Sequence, residues 1–335
     1  MQLISLLNDG QLHSSSEIAT RLGISRSAVS AKLKSLTAFG LGISSVRGGG
    51  YRLENRVELL CADTILGTLA RPAQALVSHL DILDEIDSTN LYLMRKVGMQ
   101  VPGGYVCLAE FQHAGRGRQG HRWIAPYASN ICLSLLWRFT TGTASLTGLS
   151  LAIGVALARA LNEMGVSEIG LKWPNDVMWR GHKLAGILID TGGQATGACH
   201  AVIGIGLNVA MPHEHVAGID QAWIDLRKIL GHDVKRNHCA GIVLQQLLTA
   251  LCEFQTMGLA AFRHEWEKFD VLADTRVSLK LPRETMVVGT AQGIDDNGSL
   301  RLLSNGLIHS YPCGEVSVQY LVKNKTRGCA MEEPS

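Results

Sequence analysis

The first forty residues alternate short apolar clusters with polar punctuation at helical spacing. Leu3, Ile4, Leu6 and Leu7 give one stretch an apolar face, and Ile18, Ala19 and Leu22 give the next. Ser14-Ser15-Ser16-Glu17 supplies N-cap candidates between them. Gly23-Ile24-Ser25 reads as a tight turn, followed by an amphipathic helix from Arg26 to Phe39 with Val29, Leu33 and Leu36 inward. Ser25, Arg26, Ser27, Ser30, Lys32 and Lys34 form its polar set. Leu41 to Val46 and Tyr51 to Leu53 then flank a glycine run, as two short strands. Helix, glycine turn, helix and hairpin predict a winged helix-turn-helix module for DNA over residues 1–60, with Arg47 and Arg52 on the wing. The alternative is a helical hairpin used only for packing or dimerisation.

A linker with a short helix is expected over 61–80. The region 81–270 mixes periods. Val106 to Glu110, Ile131 to Trp137, Ile187 to Asp190 and His200 to Leu207 read as strands. Leu146 to Met164 and Arg236 to Met257 read as long helices. From residue 271, strand-like runs alternate with turn pairs such as Asp296-Asn297-Gly298 and Asn305-Gly306, which predicts a small β-barrel over 271–321. The polar tail 322–335 is expected to be disordered. The fold class is therefore α+β, with a mixed α/β core between two small domains.

Composition sharpens this picture in three places. A hydrophobic content of 46% with 18% charged residues describes a compact folded chain of 335 residues. The net charge is only +2, yet residues 1–56 carry seven Lys/Arg against three Asp/Glu, a local charge of +4. Basic character thus sits where the DNA module is predicted. The eight cysteines form no CxxC pair, which argues against a disulfide framework or a zinc site. No signal peptide is visible, and the most apolar window, Leu146 to Leu157, is too short to span a bilayer. A cytoplasmic protein with no membrane partner is expected.

The candidate chemistry begins at Gly115-Arg116-Gly117-Arg118-Gln119-Gly120-His121-Arg122-Trp123. Glycines permit close backbone approach, and arginines present forked donors suited to phosphate and carboxylate. By itself this run is as consistent with a solvated basic loop, or one that touches nucleic acid, as with a loop that wraps a small anion. Ser88-Thr89-Asn90 precedes an amphipathic stretch and could simply cap a helix. Lys172-Trp173-Pro174-Asn175-Asp176 gathers a cation, an aromatic and a carboxylate, able to hold phosphate and Mg²⁺. Lys183 opens a strand with Gly186 three residues on, and Gly204-Ile205-Gly206-Leu207-Asn208 closes another.

The order STN, Gln112 with GRGRxG and Trp123, KWPND, KxxGI and GIGxN resembles the biotin–protein ligase family. The N-terminal module further resembles the bifunctional bacterial members, which combine ligase and biotin operon repressor. The match runs over about residues 1–320. It departs at Gln119 and His121, where family members often carry arginines. The resemblance implies an adenylate-forming ligase core, an SH3-like C-terminal barrel, and ATP with Mg²⁺. Biotin would be substrate and effector, and biotinyl-5′-AMP both intermediate and corepressor. Biotin would meet Ser88, Thr89, Asn90, Gln112, Gly115, Arg116, Gly117, Arg118, Lys183, Gly186, Gly204 and Gly206. ATP and Mg²⁺ would meet Arg118, Gly120, Trp123, Lys172, Asn175, Asp176, Lys183 and Asn208, with Asp176 on the metal and Trp123 packing adenine. Lys183, Arg116 and Arg118 would carry the catalysis. The implied partners are a biotin carboxyl carrier protein of acetyl-CoA carboxylase, palindromic operator DNA, and a second copy of the chain on ligand binding. The competing expectations are a lipoate–protein ligase and a biotin-sensing repressor without catalysis.

Overall fold

A computed structural model describes residues 2–46, 49–212, 218–281, 285–313 and 316–320. Two compact units divide at Asp270 and Val271. In the first, α1 (Gln2–Leu7), α2 (Ser15–Leu22) and α3 (Arg26–Ala38) precede the hairpin β1 (Ile43–Val46) and β2 (Gly50–Leu53). Ser14 and Ser25 each cap the following helix, accepting from the Glu17 and Ala28 N–H groups. Gly23 ends α2 in the left-handed conformation, φ 63°, and turns the chain into α3. Leu3, Ile18, Val29 and Leu33 fill the core, and Tyr127 and Ala128 complete it from far along the chain.

The segment at 61–80 is more than a linker. It holds α4 (Ala62–Thr68) and α5 (Arg71–Gln74), with Ile65 fully buried. Beyond it a seven-stranded sheet runs in the order β3 (His79–Ile86), β4 (Tyr105–Gln112), β5 (Asn130–Phe139), β9 (Cys199–Asn208), β8 (His182–Gly193), β7 (Asp176–Trp179) and β6 (Ile169–Lys172). Only β3 and β4 pair in parallel, joined through α6 (Thr89–Val97). Sequence periodicity found neither β6 nor β7. Each has four residues, too few to display an alternation beside the Trp-Pro turn that joins them.

Leu93 of α6 packs on Tyr105, Cys107, Leu136 and Val202. The other face takes α7 (Leu149–Glu163), whose Gly154 approaches Leu171 and Ile187. Ile187 alternates with Gly186 and Leu188, so those two residues face the α6 side. The helix α9 (Arg236–Met257) lies against α7 and also against α4, where Gly241 leaves room for Thr68. α8 (Leu226–Leu230) and α10 (Ala260–Phe269) complete the unit. A buried ion pair, Arg236 with Glu110 at 2.9 Å, ties α9 to β4. Glu110 also accepts from the Leu60 N–H at 2.5 Å, and Arg236 donates to the Glu58 and Asn130 carbonyls.

The second unit is an antiparallel sheet in the order β13 (Leu307–Tyr311), β12 (Leu300–Ser304), β11 (Met286–Ile294), β10 (Arg276–Lys280) and β14 (Ser317–Tyr320). Val277, Leu279, Ala291 and Leu302 form its core. The predicted disordered tail, 322–335, lies outside the described residues. No helix among the described residues is long and apolar enough to cross a membrane.

Candidate active site

Three adjacent strands align their small residues into a floor. Cys132 pairs with Gly206 and Gly206 with Gly186; Ser134 pairs with Gly204 and Gly204 with Leu188. A Cβ on Gly206 would stand 2.6 Å from Trp123 Cζ2, and one on Gly204 would stand 2.9 Å from Asn90 Cγ. Glycine at both positions is what lets the indole and the carboxamide lie directly on the backbone. Gly186, Gly204 and Gly206 thus come together on adjacent strands.

The STN segment borders one end of this floor. Ser88 precedes α6, but its hydroxyl makes no capping bond, so helix capping does not explain it. Ser88, Thr89 and Asn90 are all buried. The Thr89 N–H donates to Gln112 Oε1 at 2.8 Å, and Thr89 Oγ1 lies 2.7 Å from Ser134 Oγ. Asn90 Oδ1 accepts from Ser134 Oγ at 2.5 Å, while its Nδ2 donates to the Leu188 carbonyl and to Asp190 Oδ2. Burial pushes the neighbouring Cys132 thiol up to about 12, which keeps it neutral. Ser134, Asp190 and Cys132 were not singled out in the sequence, where they read as ordinary strand positions.

The other end collects cations. Lys183 Nζ lies 2.6 Å from Asp176 Oδ1, with both side chains largely buried, and 5.8 Å from the Trp123 ring centre. Burial, opposed by Asp176 and assisted by the Lys183 charge, lowers the Lys172 pKa. Arg118 Nη1 approaches Asn175 Oδ1 at 3.4 Å, and Asn175 Nδ2 donates to the Ile187 carbonyl at 2.8 Å. The Lys183 backbone is pinned between the Ala222 carbonyl and the Ile224 N–H. Asn208 is buried behind it. Its amide donates to the Ile224 carbonyl at 3.1 Å and the Lys183 carbonyl at 3.4 Å, and its oxygen accepts from Asn130. Asn208, expected at the ATP end, thus lies directly against the Lys183 backbone.

The glycine-rich run closes on itself. Trp123 N–H donates to the Gly115 carbonyl at 2.9 Å and Gly117 N–H to the His121 carbonyl at 2.7 Å. A Cβ on Gly115 would collide with the Trp123 carbonyl. Gln119 and Gly120 form the tip, both at positive φ, 52° and 77°. Arg116 leaves this loop towards Asp190, Nη1 to Oδ2 3.5 Å. Arg116, Arg118, Lys172 and Lys183 thus border one groove, with Asp190 beside Arg116 and Asp176 beside Lys183, a cationic set suited to an anion.

On α3, Arg26, Ser27, Ser30 and Lys34 are exposed and fall within one arc at 100° per residue. Lys32 is exposed on the opposite flank, so it does not join that face. Ser25 caps the helix, and its Oγ lies 2.9 Å from that of Ser27. Arg52 is exposed on β2 and donates weakly to Ser44 across the hairpin; Arg47 lies outside the described residues.

Residues 83–208, which hold both ends of the groove, match the model of the biotin/lipoate A/B protein ligase family. Residues 1–52 match a helix-turn-helix domain and 275–319 the biotin protein ligase C-terminal domain. Over 319 residues the chain is 37% identical to the bifunctional ligase/repressor BirA of Escherichia coli, covering 95% of this chain and 97% of that one. The chain belongs to the biotin protein ligase family. A biotin–[acetyl-CoA-carboxylase] ligase of Mycobacterium tuberculosis is 34% identical over 71% of this chain and 88% of its own. Among solved structures, the Aquifex aeolicus biotin protein ligase in complex with biotin and ATP aligns with a TM-score of 0.61 at 26% identity, covering 73% of this chain and all of that one. These bear out the expected family, its fold class and its three-part order. The helix-turn-helix match at residues 1–52 goes with the likeness to the bifunctional ligase/repressor, which spans nearly the whole chain.

Proposed function

We propose that this chain is an ATP-dependent biotin–protein ligase that also represses transcription through its N-terminal module. The observation that carries the catalytic reading is one groove with two chemically distinct ends. Neutral donors and acceptors of Thr89, Asn90 and Gln112 stand at one end, and Arg118, Lys172 and Lys183 at the other. That polarity fits a ligand with an uncharged ureido ring and a carboxylate that must meet a phosphate. Biotin's carboxylate oxygen attacks the α-phosphorus of ATP, the bond to the β-phosphate breaks, and pyrophosphate leaves. A lysine amine of the carrier then attacks the acyl carbon, forming the amide, releasing AMP and losing its proton to solvent.

The chain's contribution is charge and exclusion of water. Lys183, held by Asp176, sits where carboxylate and α-phosphate approach each other, and its charge offsets their repulsion. Arg116 and Arg118 bring charge from the glycine-rich loop. Trp123, lying on Gly186 and Gly206 beside Lys183, walls the groove and offers a ring against the adenylate. Among the described residues, Asp176 Oδ1 accepts no hydrogen bond beyond its ion pair. A single carboxylate of this kind suits Mg²⁺, which is commonly held by one or two carboxylates together with substrate phosphates. No side chain is needed as nucleophile, since both attacking groups belong to the substrates.

For the regulatory half, the exposed face of α3 and the wing would meet an operator, two copies of the chain reading two half-sites. Biotinyl-5′-AMP would favour the pair and act as corepressor. One incubation tests the catalytic reading. Protein mixed with biotin and Mg·ATP should retain biotinyl-adenylate by mass spectrometry and label a carrier domain, with lipoate inactive in parallel. Equal labelling with lipoate, or no adenylate from either acid, would overturn it. Sedimentation and operator gel shifts with and without biotin plus ATP test the regulatory half; no change in either would remove it.

A further inference from the structure

Asp190 sits at the rim of the groove, its side chain 24% exposed, on the strand that carries Gly186 and Leu188. Its Oδ2 accepts from Asn90 Nδ2 at 3.0 Å. Asn90 is buried, and its second amide hydrogen goes to the Leu188 carbonyl at 3.2 Å. A carboxylate only accepts, so the NH₂ must face Asp190 and Asn90 Oδ1 must face Ser134. An amide oxygen cannot donate. The single hydroxyl proton of Ser134, which is fully buried, therefore belongs to the 2.5 Å bond with Asn90. The 2.7 Å contact between Ser134 and Thr89 then takes its proton from Thr89. Gln112 Oε1, which accepts the Thr89 N–H at 2.8 Å, lies 3.2 Å from the same hydroxyl; the shorter contact, to a Ser134 oxygen whose own proton is spent on Asn90, takes the Thr89 proton.

The consequence is a chain with one direction, from Thr89 through Ser134 and Asn90 to Asp190. We propose that Asp190 is a positioning residue for the biotin head group: by accepting from Asn90 it fixes this direction and leaves Thr89 Oγ1 as an acceptor. A cyclic urea carries two N–H donors, so an acceptor preset at the buried end of the groove suits it. The same carboxylate reaches Arg116 and so joins the floor to the glycine-rich loop. The proposal rests on Thr89, Asn90 and Gln112 being the biotin end. The backbone pairing of β8 with β9 does not depend on the Asp190 side chain, so the role is separable from folding.

The test compares four full-length proteins, wild type, Asp190→Ala, Asp190→Asn and Thr89→Val, by biotin and ATP KM in carrier labelling and by Tm. Asp190→Ala should raise the biotin KM at least tenfold while leaving the ATP KM within twofold and the Tm near wild type. Asp190→Asn keeps an acceptor for Asn90 and should stay within about threefold of wild type for biotin. An unchanged biotin KM in Asp190→Ala, equal rises for biotin and ATP, or an Asn variant as defective as Ala would each overturn the proposal. Thr89→Val separates the two claims. If it is impaired while Asp190→Ala is normal, the positioning role alone fails. If Thr89→Val also binds biotin normally, the assignment of the biotin end fails with it.

Discussion

Gly204→Ala is the most searching perturbation of the groove, because one methyl meets a side chain that cannot yield. The new Cβ would stand 2.9 Å from Asn90 Cγ and 3.1 Å from Nδ2, and closer still to Oδ1. Ordinary carbon contacts lie near 3.5–4.0 Å, so Asn90 must retreat by about 1 Å or the strand must bend. Retreat breaks the 2.5 Å bond from Ser134. Leaving those buried polar atoms unpaired costs about 1–3 kcal/mol, and overpacking a further 1–3 kcal/mol or so. Part of this falls on folding and part on biotin binding. At about 1.4 kcal/mol per decade the expected loss of biotin affinity is roughly tenfold to hundredfold, with a lowered melting temperature. Gly154→Ala is the matched control. There a Cβ meets Leu171 at 3.5 Å, an ordinary contact, and a mid-helix alanine should stabilise by about 0.5–1 kcal/mol. Calorimetric biotin titration and thermal melts read both. A Gly204→Ala protein with wild-type affinity and melting would show that Asn90 is not held over Gly204.

Three further substitutions probe other parts of the chain. Lys183→Met should lower the rate of biotin-dependent pyrophosphate release by about a hundredfold to a thousandfold, the range for losing one preorganised cationic contact; a loss under threefold would refute its role. Arg236→Met strands the Glu110 carboxylate in the interior and should cost about 3–5 kcal/mol in urea unfolding, with Arg236→Met/Glu110→Gln recovering part of it. His13 is buried, and although burial opposes its charge, hydrogen bonds to Asp9 and Glu17 outweigh it and raise the pKa. Its stabilisation is therefore complete below the ordinary histidine range and lost as pH rises through the raised value. The melting-temperature gap between wild type and His13→Gln should be wider near pH 6 than near pH 8, and an equal gap would remove the ion-pair explanation.

What the sequence made legible was local. The capped helices of the N-terminal module, the glycine floor and the cationic positions all announce themselves through residue type and short spacing. What it hid depends on pairing across long separations. Ser134 reaches Asn90 from 44 residues away, and Asp190 reaches it from 100. Neither position carries a motif, because their roles arise only when β5, β9 and β8 lie side by side. Asn208 shows the opposite case. Its type and place are visible in the sequence, while its amide's bonds to the Lys183 and Ile224 carbonyls, 25 and 16 residues away, arise only in the packed structure. Lys32 likewise looked like one more basic residue, until helical geometry put it on the far flank of α3.

The boundary between the DNA module and the ligase core was the least legible feature, and the structure gives the reason. The module's core is completed by Tyr127 and Ala128, a few residues beyond the glycine-rich loop. Tyr127 N–H donates to the Phe39 carbonyl at 2.8 Å, and its hydroxyl donates to Asp84 on β3. On the other side of the loop, Phe111 stacks on Phe39 at 4.1 Å between ring centres, and His113 meets both rings edge-on. Both feet of the Gly115–Trp123 loop therefore stand on the end of the helix that presents Arg26, Ser27, Ser30 and Lys34. Close-packed side chains of this kind are barely compressible and transmit strain. Between these feet the loop closes on itself through Gly115 and Gly117, and Gln119 and Gly120 turn its tip at positive φ.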